Sequence, residues 1–211
     1  MNIVIRKETP QDYKRVEYLA REAFWNLYIP GAQEHYIVKR LHENGEYMKE
    51  LTFVAEIDNI VQAAIFYTKA EIIKDGEKVM DAISFGPVFV SPELHRQGIG
   101  RKLITHSIQV AKKLGHKVIM TLGYPYHYKP YGFCGGKNYR IGFEDGSFPS
   151  GLLVLPLVPN VLDNIAGWAK FTNALECELE ESEAYDVQLP YKEKLVLPSQ
   201  VEYAQAVQMM D

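Results

Sequence analysis

The chain has 211 residues, 47% of them hydrophobic and 24% charged, with a formal net charge of −4, which is enough for one well-buried α/β core with a small appendage. The acidic balance argues against a non-specific nucleic-acid binder, because such proteins need an excess of Lys and Arg to displace counterions from phosphates. Cys134 and Cys177 show neither metal-type nor redox-type spacing, MNIVIRKETP lacks the apolar core of a signal peptide, and GLLVLPLVPNVL is too short and proline-broken to span a bilayer, so reduced thiols and a cytoplasmic protein are expected.

In chain order, Thr9, Pro10 and Asp12 form a helix start, and Tyr13, Val16, Leu19, Ala20 and Phe24 follow at helical spacing. A second helix is expected over Glu34 to Glu43, ended by Asn44 and Gly45. From Leu51 the period changes. LTFVAE, IVQAAIFYT and VMDAISFGPVFV are apolar runs separated by the two-residue turns Asp58-Asn59 and Asp75-Gly76, the pattern of an antiparallel meander.

Beyond Val90 the stretch SPELHRQGIGRKLI leads into Leu103, Ile104, Ile108, Ala111 and Leu114, an apolar helix stripe that stops at Gly115, and Lys117 to Leu122 reads as a short buried strand. Strand, helix, strand in that order implies a parallel crossover attached to an otherwise antiparallel sheet. The segment from Gly123 to Phe133 is aromatic and irregular, and strand character returns near YRIGF and in GLLVLPLV. Past Val158 the pattern weakens, apart from a capping box of Ser199 and Glu202 for a last helix through Met209. The expected division is a domain over 1–158 and a C-terminal extension over 159–211 packed on it.

The glycine pair Gly98 and Gly100 raises the question of a phosphate site. A dinucleotide fingerprint needs a third glycine where Leu103 stands, and a Walker loop needs Gly, Lys and then Ser or Thr, which neither GIGRKL nor GGKNY supplies. What remains is a glycine-permitted turn into a helix N-terminus, whose free N–H groups and dipole attract phosphate. From GxG alone, an ordinary strand-to-helix turn is the plainer reading.

LHRQGIGRKLI resembles motif A of the GNAT superfamily of N-acetyltransferases, written Q/R-x-x-G-x-G/A, and the order of elements is that superfamily's. TLGYPYHYKPYGF is similar to LGDPxYYxxFGF of a bacterial branch of N-acetyltransferases, as are FGPVFVSPE, LDNIAGW and LPYKEKLVLPSQ. Two positions depart from the pattern: His95 stands where motif A has Gln or Arg, and Tyr124 where the branch has Asp. The resemblance implies an α/β (α+β) fold with a mixed, mostly antiparallel sheet splayed at its centre, flanked by helices and followed by the extension.

It also implies acetyl-CoA as cosubstrate, its pantetheine alongside Val88, Phe89 and Val90 and its pyrophosphate on the amides of Arg96, Gln97, Gly98, Ile99, Gly100 and Arg101. The acceptor is then a small-molecule or peptide amine, with no nucleic acid or membrane partner and no metal; a homodimer is compatible with this reading. A lysine-like amine must lose a proton worth about 4 to 5 kcal/mol at neutral pH before it attacks. The family position for an acidic base falls near Ser84, and Asp81 is the nearest carboxylate. Tyr128, four residues before Gly132, matches the family's general acid, although transfer from a phenol to a thiolate is uphill by roughly 2 kcal/mol. Trp25, Tyr28 and Tyr124 are candidates for an acceptor mouth, each with core packing as the plainer role. The missing acid at Ser84 leaves a second reading open, a non-catalytic acyl-CoA-binding or sensory module.

Overall fold

In the computed structural model, which describes residues 2–208, the elements expected between Thr9 and Leu122 all form. A 3-10 turn at Pro10–Asp12 leads into α1 (Tyr13–Phe24), with the Asp12 carboxylate accepting from the backbone and hydroxyl of Thr9, both at 2.8 Å. Next come α2 (Glu34–Asn44), β2 (Phe53–Ile57), β3 (Ile60–Lys74), β4 (Glu77–Val90), α3 (Ile99–Lys113) and β5 (Val118–Leu122). Asp58, Asn59, Asp75 and Gly76 all have positive φ, as the tightest hairpin turns require. One strand precedes these elements, β1 (Ile3–Lys7).

The later chain is more regular than its pattern suggested. The aromatic segment forms the short helix α4 (Pro125–Tyr128), and β6 (Cys134–Gly135), β7 (Ile141–Gly142) and β8 (Leu152–Pro156) follow. Beyond Val158 lie β9 (Gly167–Phe171), α5 (Leu179–Asp186) and α6 (Pro198–Gln208). α6 starts from Leu197 instead of Ser199: Pro198 takes the first helical position, and the Gln200 side chain accepts the Leu197 N–H at 3.0 Å. Met209, expected as the end of this helix, lies outside the described residues.

The result is a mixed α/β fold with a mostly antiparallel sheet flanked by helices, and it divides into two units. The first takes the chain up to Phe66, Pro87–Ser107 and Asn173–Val201. Here β1 pairs with β2 and β2 with the start of β3, all antiparallel, and α1 and α2 close a core of Val16, Leu19, Val38, Leu41, Val54, Phe66 and Phe89. His42 of α2 is bonded on both ring nitrogens, to Glu17 at 2.9 Å and Glu8 at 3.1 Å, beneath the stacked ring of Tyr13.

Within this unit, Asn173–Val201 is fastened to α1 and the loop after it by hydrogen bonds to main-chain groups. Arg21 donates to the Pro190 carbonyl at 3.0 Å, Trp25 Nε1 to Glu193 at 2.8 Å, and Asn26 links Glu193, Leu195 and Gln200 through its amide and backbone. The acidic run from Glu176 to Asp186 is partly paired. Asp186 is turned inward onto His35, and Glu181 and Glu183 pair with Arg40 and Lys194.

The second unit takes Tyr67–Gly86, Ile108–Thr172 and the chain from Glu202. Its ladders are antiparallel for β5 with β8, β8 with β6 and the end of β3 with β9, and parallel for β7 with β9. β4 meets β5 in parallel at only two positions, Ile83↔Ile119 and Ser84↔Met120. Where this ladder stops, the buried Thr121 hydroxyl donates to the Phe85 carbonyl at 3.0 Å. The core of the unit holds Ile72, Val118, Met120, Ile141, Leu152 and Val154.

Candidate active site

The glycine turn belongs to the first unit. Strand alternation sends Phe89 into the core, where it meets Phe24 edge-on at 5.9 Å, and leaves Val88 and Val90 half-buried. Ser91 N–H closes onto the Gln62 carbonyl at 2.7 Å. The turn that follows needs positive φ at Arg96 (61°) and Gly98 (80°), and such alternation aims successive N–H groups at one point. Among the described residues, nothing is hydrogen-bonded to the amides of Arg96, Gln97, Gly98, Ile99, Gly100 or Arg101; the first helical bond is Lys102 N–H to Gly98 at 3.1 Å.

Side chains around the turn point to an anion. Arg96, Arg101 and Lys102 are exposed and, among the described residues, lack an acidic partner, yet they crowd the positive end of the α3 dipole, where cations are unfavourable. Ile99 is buried, so only its amide faces outward. A methyl group built on Gly100 would meet nothing closer than Val90 Cγ2 at 3.5 Å. That is ordinary contact, so the protein itself does not require glycine there, whereas a ligand lying on the main chain does. The Val90 carbonyl accepts the His95 ring N–H at 3.0 Å, so the motif's departing residue occupies a backbone group.

The second unit holds the other sequence candidates. Tyr128 packs against Phe85 at 5.4 Å and Phe133 at 5.9 Å, both tilted near 60°. Gly123 leaves room for it, since a methyl there would lie 2.7 Å from Tyr128 Cε2. Among the described residues the Tyr128 hydroxyl has no hydrogen-bond partner. Burial pushes its pKa up to about 12, with the phenols of Tyr131 and Tyr203 adding to the shift. The steric demand on Gly123 and the role of Thr121 escape sequence reading, because both depend on contacts made by folding.

Asp81 is placed differently from what a proton acceptor needs. Its side chain is 84% exposed and binds Lys78 at 2.8 Å, whereas Ser84, three residues on, is buried inside the short ladder. Nearby, Tyr124, Tyr126 and His127 form an aromatic group, and Tyr203 meets Tyr124 edge-on at 5.5 Å. Burial lowers the His127 pKa, which leaves the ring neutral at physiological pH. In the first unit, Trp25 is committed to the extension and Tyr28 lies 5.9 Å from Phe24. Cys134 and Cys177 are free thiols, and among the described residues no group of three or more ligands could hold a metal ion. No helix there is long and apolar enough to cross a membrane.

The chain is similar in fold to the GNAT family N-acetyltransferase YhbS from Escherichia coli, solved in complex with CoA, with 22% identity, a TM-score of 0.72 and 83% of this chain and 92% of that one covered. It is also similar to a GNAT family acetyltransferase from Brucella melitensis in complex with acetyl-CoA, at 24% identity and a TM-score of 0.66 over 83% of this chain and 99% of the other. The ribosomal-protein-S18-alanine N-acetyltransferase from Escherichia coli follows at 18% identity and a TM-score of 0.52 over 74% and 94%. No curated protein matches by sequence. The family model described as acetyltransferase (GNAT) matches residues 20–129, just over half of the chain, and with the turn, the two-position parallel ladder and the folds above it places this chain in the GNAT acetyltransferase family, a family of acyltransferases.

Proposed function

We propose that the chain transfers an acetyl group from acetyl-CoA to a primary amine by direct attack, and that it works in the cytoplasm. The observation that carries this reading is the run of amides from Arg96 to Arg101 that, among the described residues, are unbonded and set among cations without acidic partners. These residues fit a coenzyme diphosphate: the N–H groups donate to its oxygens, Gly98 and Gly100 admit it to the main chain, and Arg96, Arg101 and Lys102 add opposite charge. The half-buried Val88 and Val90 would line the pantetheine, with Phe89 anchoring the strand from its core side.

Tyr128 has the chemistry to meet the departing sulfur. With its pKa near 12, complete proton transfer to a thiolate of pKa about 8.5 is uphill by about 5 kcal/mol. The phenol therefore acts mainly as a hydrogen-bond donor to the developing negative charge, an interaction that strengthens as the C–S bond lengthens. Asp81, solvated and paired with Lys78, has no part in this scheme.

The buried Ser84 favours one competing reading, an acyl-CoA sensor without turnover. A panel of amines, assayed for CoA release with wild type and Tyr128→Phe, separates the two. Turnover that falls in the variant supports transfer. Thermal stabilisation by acetyl-CoA with no CoA release from any amine would leave the sensor.

A further inference from the structure

The aromatic group after β5 is one of the places where this chain leaves the pattern it otherwise resembles. Tyr124 stands where the resembled branch has Asp, and Tyr126, His127 and Tyr128 follow on α4. Folding of the second unit adds Tyr203 of α6, edge-on to Tyr124 at 5.5 Å and 75°. The His127 ring crosses that of Tyr124 at 88° and 5.8 Å, and Tyr126 meets His127 at 4.2 Å. Aromatic rings crossed at steep angles are the walls from which ammonium-binding cages are built, because each ring face carries negative charge density.

The charge around these rings is negative or absent. Burial lowers the His127 pKa, so that ring is uncharged at neutral pH. Burial, then the Tyr126 phenol and the Glu202 carboxylate, raise the pKa of Tyr124, which puts Glu202 of α6 within electrostatic reach of it. Among the described residues Glu202 has no cationic partner, and no cation, Lys129 at the end of α4 included, lies over the rings of Tyr124 or Tyr126. Elsewhere the chain's own cations cover its rings: Arg21 and Lys192 lie over Trp25, and Arg40 over Tyr36. Tyr126 is 65% exposed, so a cation from solution can reach the group.

The same rings run up to the phenol assigned to the departing sulfur. His127 and Tyr128 are 6.4 Å apart at 88°, so Tyr124 and Tyr126 each stand two ring contacts from Tyr128 through His127.

Resting on the acetyltransferase reading above, we propose that Tyr124, Tyr126 and Glu202 form a subsite for a positively charged group of the acceptor, separate from the nitrogen that is acetylated. The acceptor class is then a diamine. One nitrogen stays an ammonium against the rings and the Glu202 carboxylate, while the other, deprotonated, attacks the thioester. An Asp in place of Tyr124 would hold the same charge as an ion pair, whereas a ring also accepts a methylated ammonium that has no N–H to donate.

The test uses the full chain with two pairs of ligands. In the first, with acetyl-CoA present, choline is titrated beside the alcohol in which carbon replaces its nitrogen, followed by tyrosine fluorescence. Choline should bind about tenfold more tightly; Tyr124→Leu should abolish the difference and Tyr124→Phe should keep it, an outcome that a merely structural ring would not produce. In the second, kcat/KM for a five-carbon diamine is divided by that for the five-carbon amino alcohol. The ratio should be about ten in the wild type, fall to about one in Tyr124→Leu and drop about threefold in Glu202→Gln.

Equal binding of choline and its carbon analogue, a wild-type ratio of about one, or a ratio that survives Tyr124→Leu would overturn the subsite and leave the acetyltransferase reading standing. Selective choline binding with no CoA release from any amine would overturn that reading, and the acceptor role with it. Should Tyr124→Leu not fold, the same comparisons on Tyr126→Leu, whose ring is exposed, decide.

Discussion

The glycine turn of the first unit and the Tyr128 seat of the second reach readiness for a ligand by opposite means. The turn is main chain, its open N–H groups at the surface where water serves them until an anion arrives, so leaving them unbonded costs little. The tyrosine seat is side chain: a ring wedged against Phe85, Phe133 and the space above Gly123, with a hydroxyl shielded enough to hold its proton to about 12. The first arrangement is broken by adding atoms and the second by removing one oxygen or shifting a ring.

The largest effect expected is from Tyr128→Phe. Losing a hydrogen bond to a developing thiolate is worth about 2 to 3 kcal/mol, so kcat should fall about 100-fold with acetyl-CoA affinity unchanged, as steady-state kinetics and a titration can check. Because the phenol keeps its proton well above the usual tyrosine range, kcat should show no descending limb near pH 10 from this group. Next comes Gly123→Ala, which must displace the Tyr128 ring; a fall of about 30-fold in kcat is expected from misplacement alone, and an unchanged rate would show that the seat tolerates movement.

Gly100→Ala sharpens the contrast by separating fold from ligand. The added methyl meets only Val90 at ordinary distance and replaces a helical glycine, which should stabilise the protein by up to about 1 kcal/mol, while weakening acetyl-CoA binding about tenfold. Calorimetry should therefore show a higher Tm beside a poorer Kd. The smallest effect belongs to Arg101→Gln, about threefold in Kd and confined to low salt, since an exposed cation near a phosphate is screened by added ions.

Legibility follows the same divide. The turn is readable because its requirement is local: positive φ at Gly98 and close approach at Gly100 are written as two glycines one residue apart in a recognisable run. The hairpins at Asp58-Asn59 and Asp75-Gly76 are readable for that reason too. Tyr128 was legible through its place before Gly132, but what seats it was not, because Gly123, Phe85 and Phe133 come together only in the fold.

β9 escaped because GWAKF is short and lacks alternation, its strand identity resting on the end of β3. α5 escaped because LEESEAYD carries almost no apolar stripe. Its buried residue is Ser182, and its half-buried Asp186 is held by His35 and Arg21, supplied by helices near the other end of the chain.

The fastening of the extension has a consequence for how the chain is made. The first unit needs Asn173–Val201 beside segments that leave the ribosome much earlier, so its carbonyl acceptors at Pro190 and Glu193 arrive long after α1 has emerged. Arg21 and Trp25 must meanwhile stay solvated or borrow other partners. Emergence of this segment is thus the moment at which α1 and its following loop can first settle, and a product cut short before Pro190 would carry the glycine turn without that completed surround.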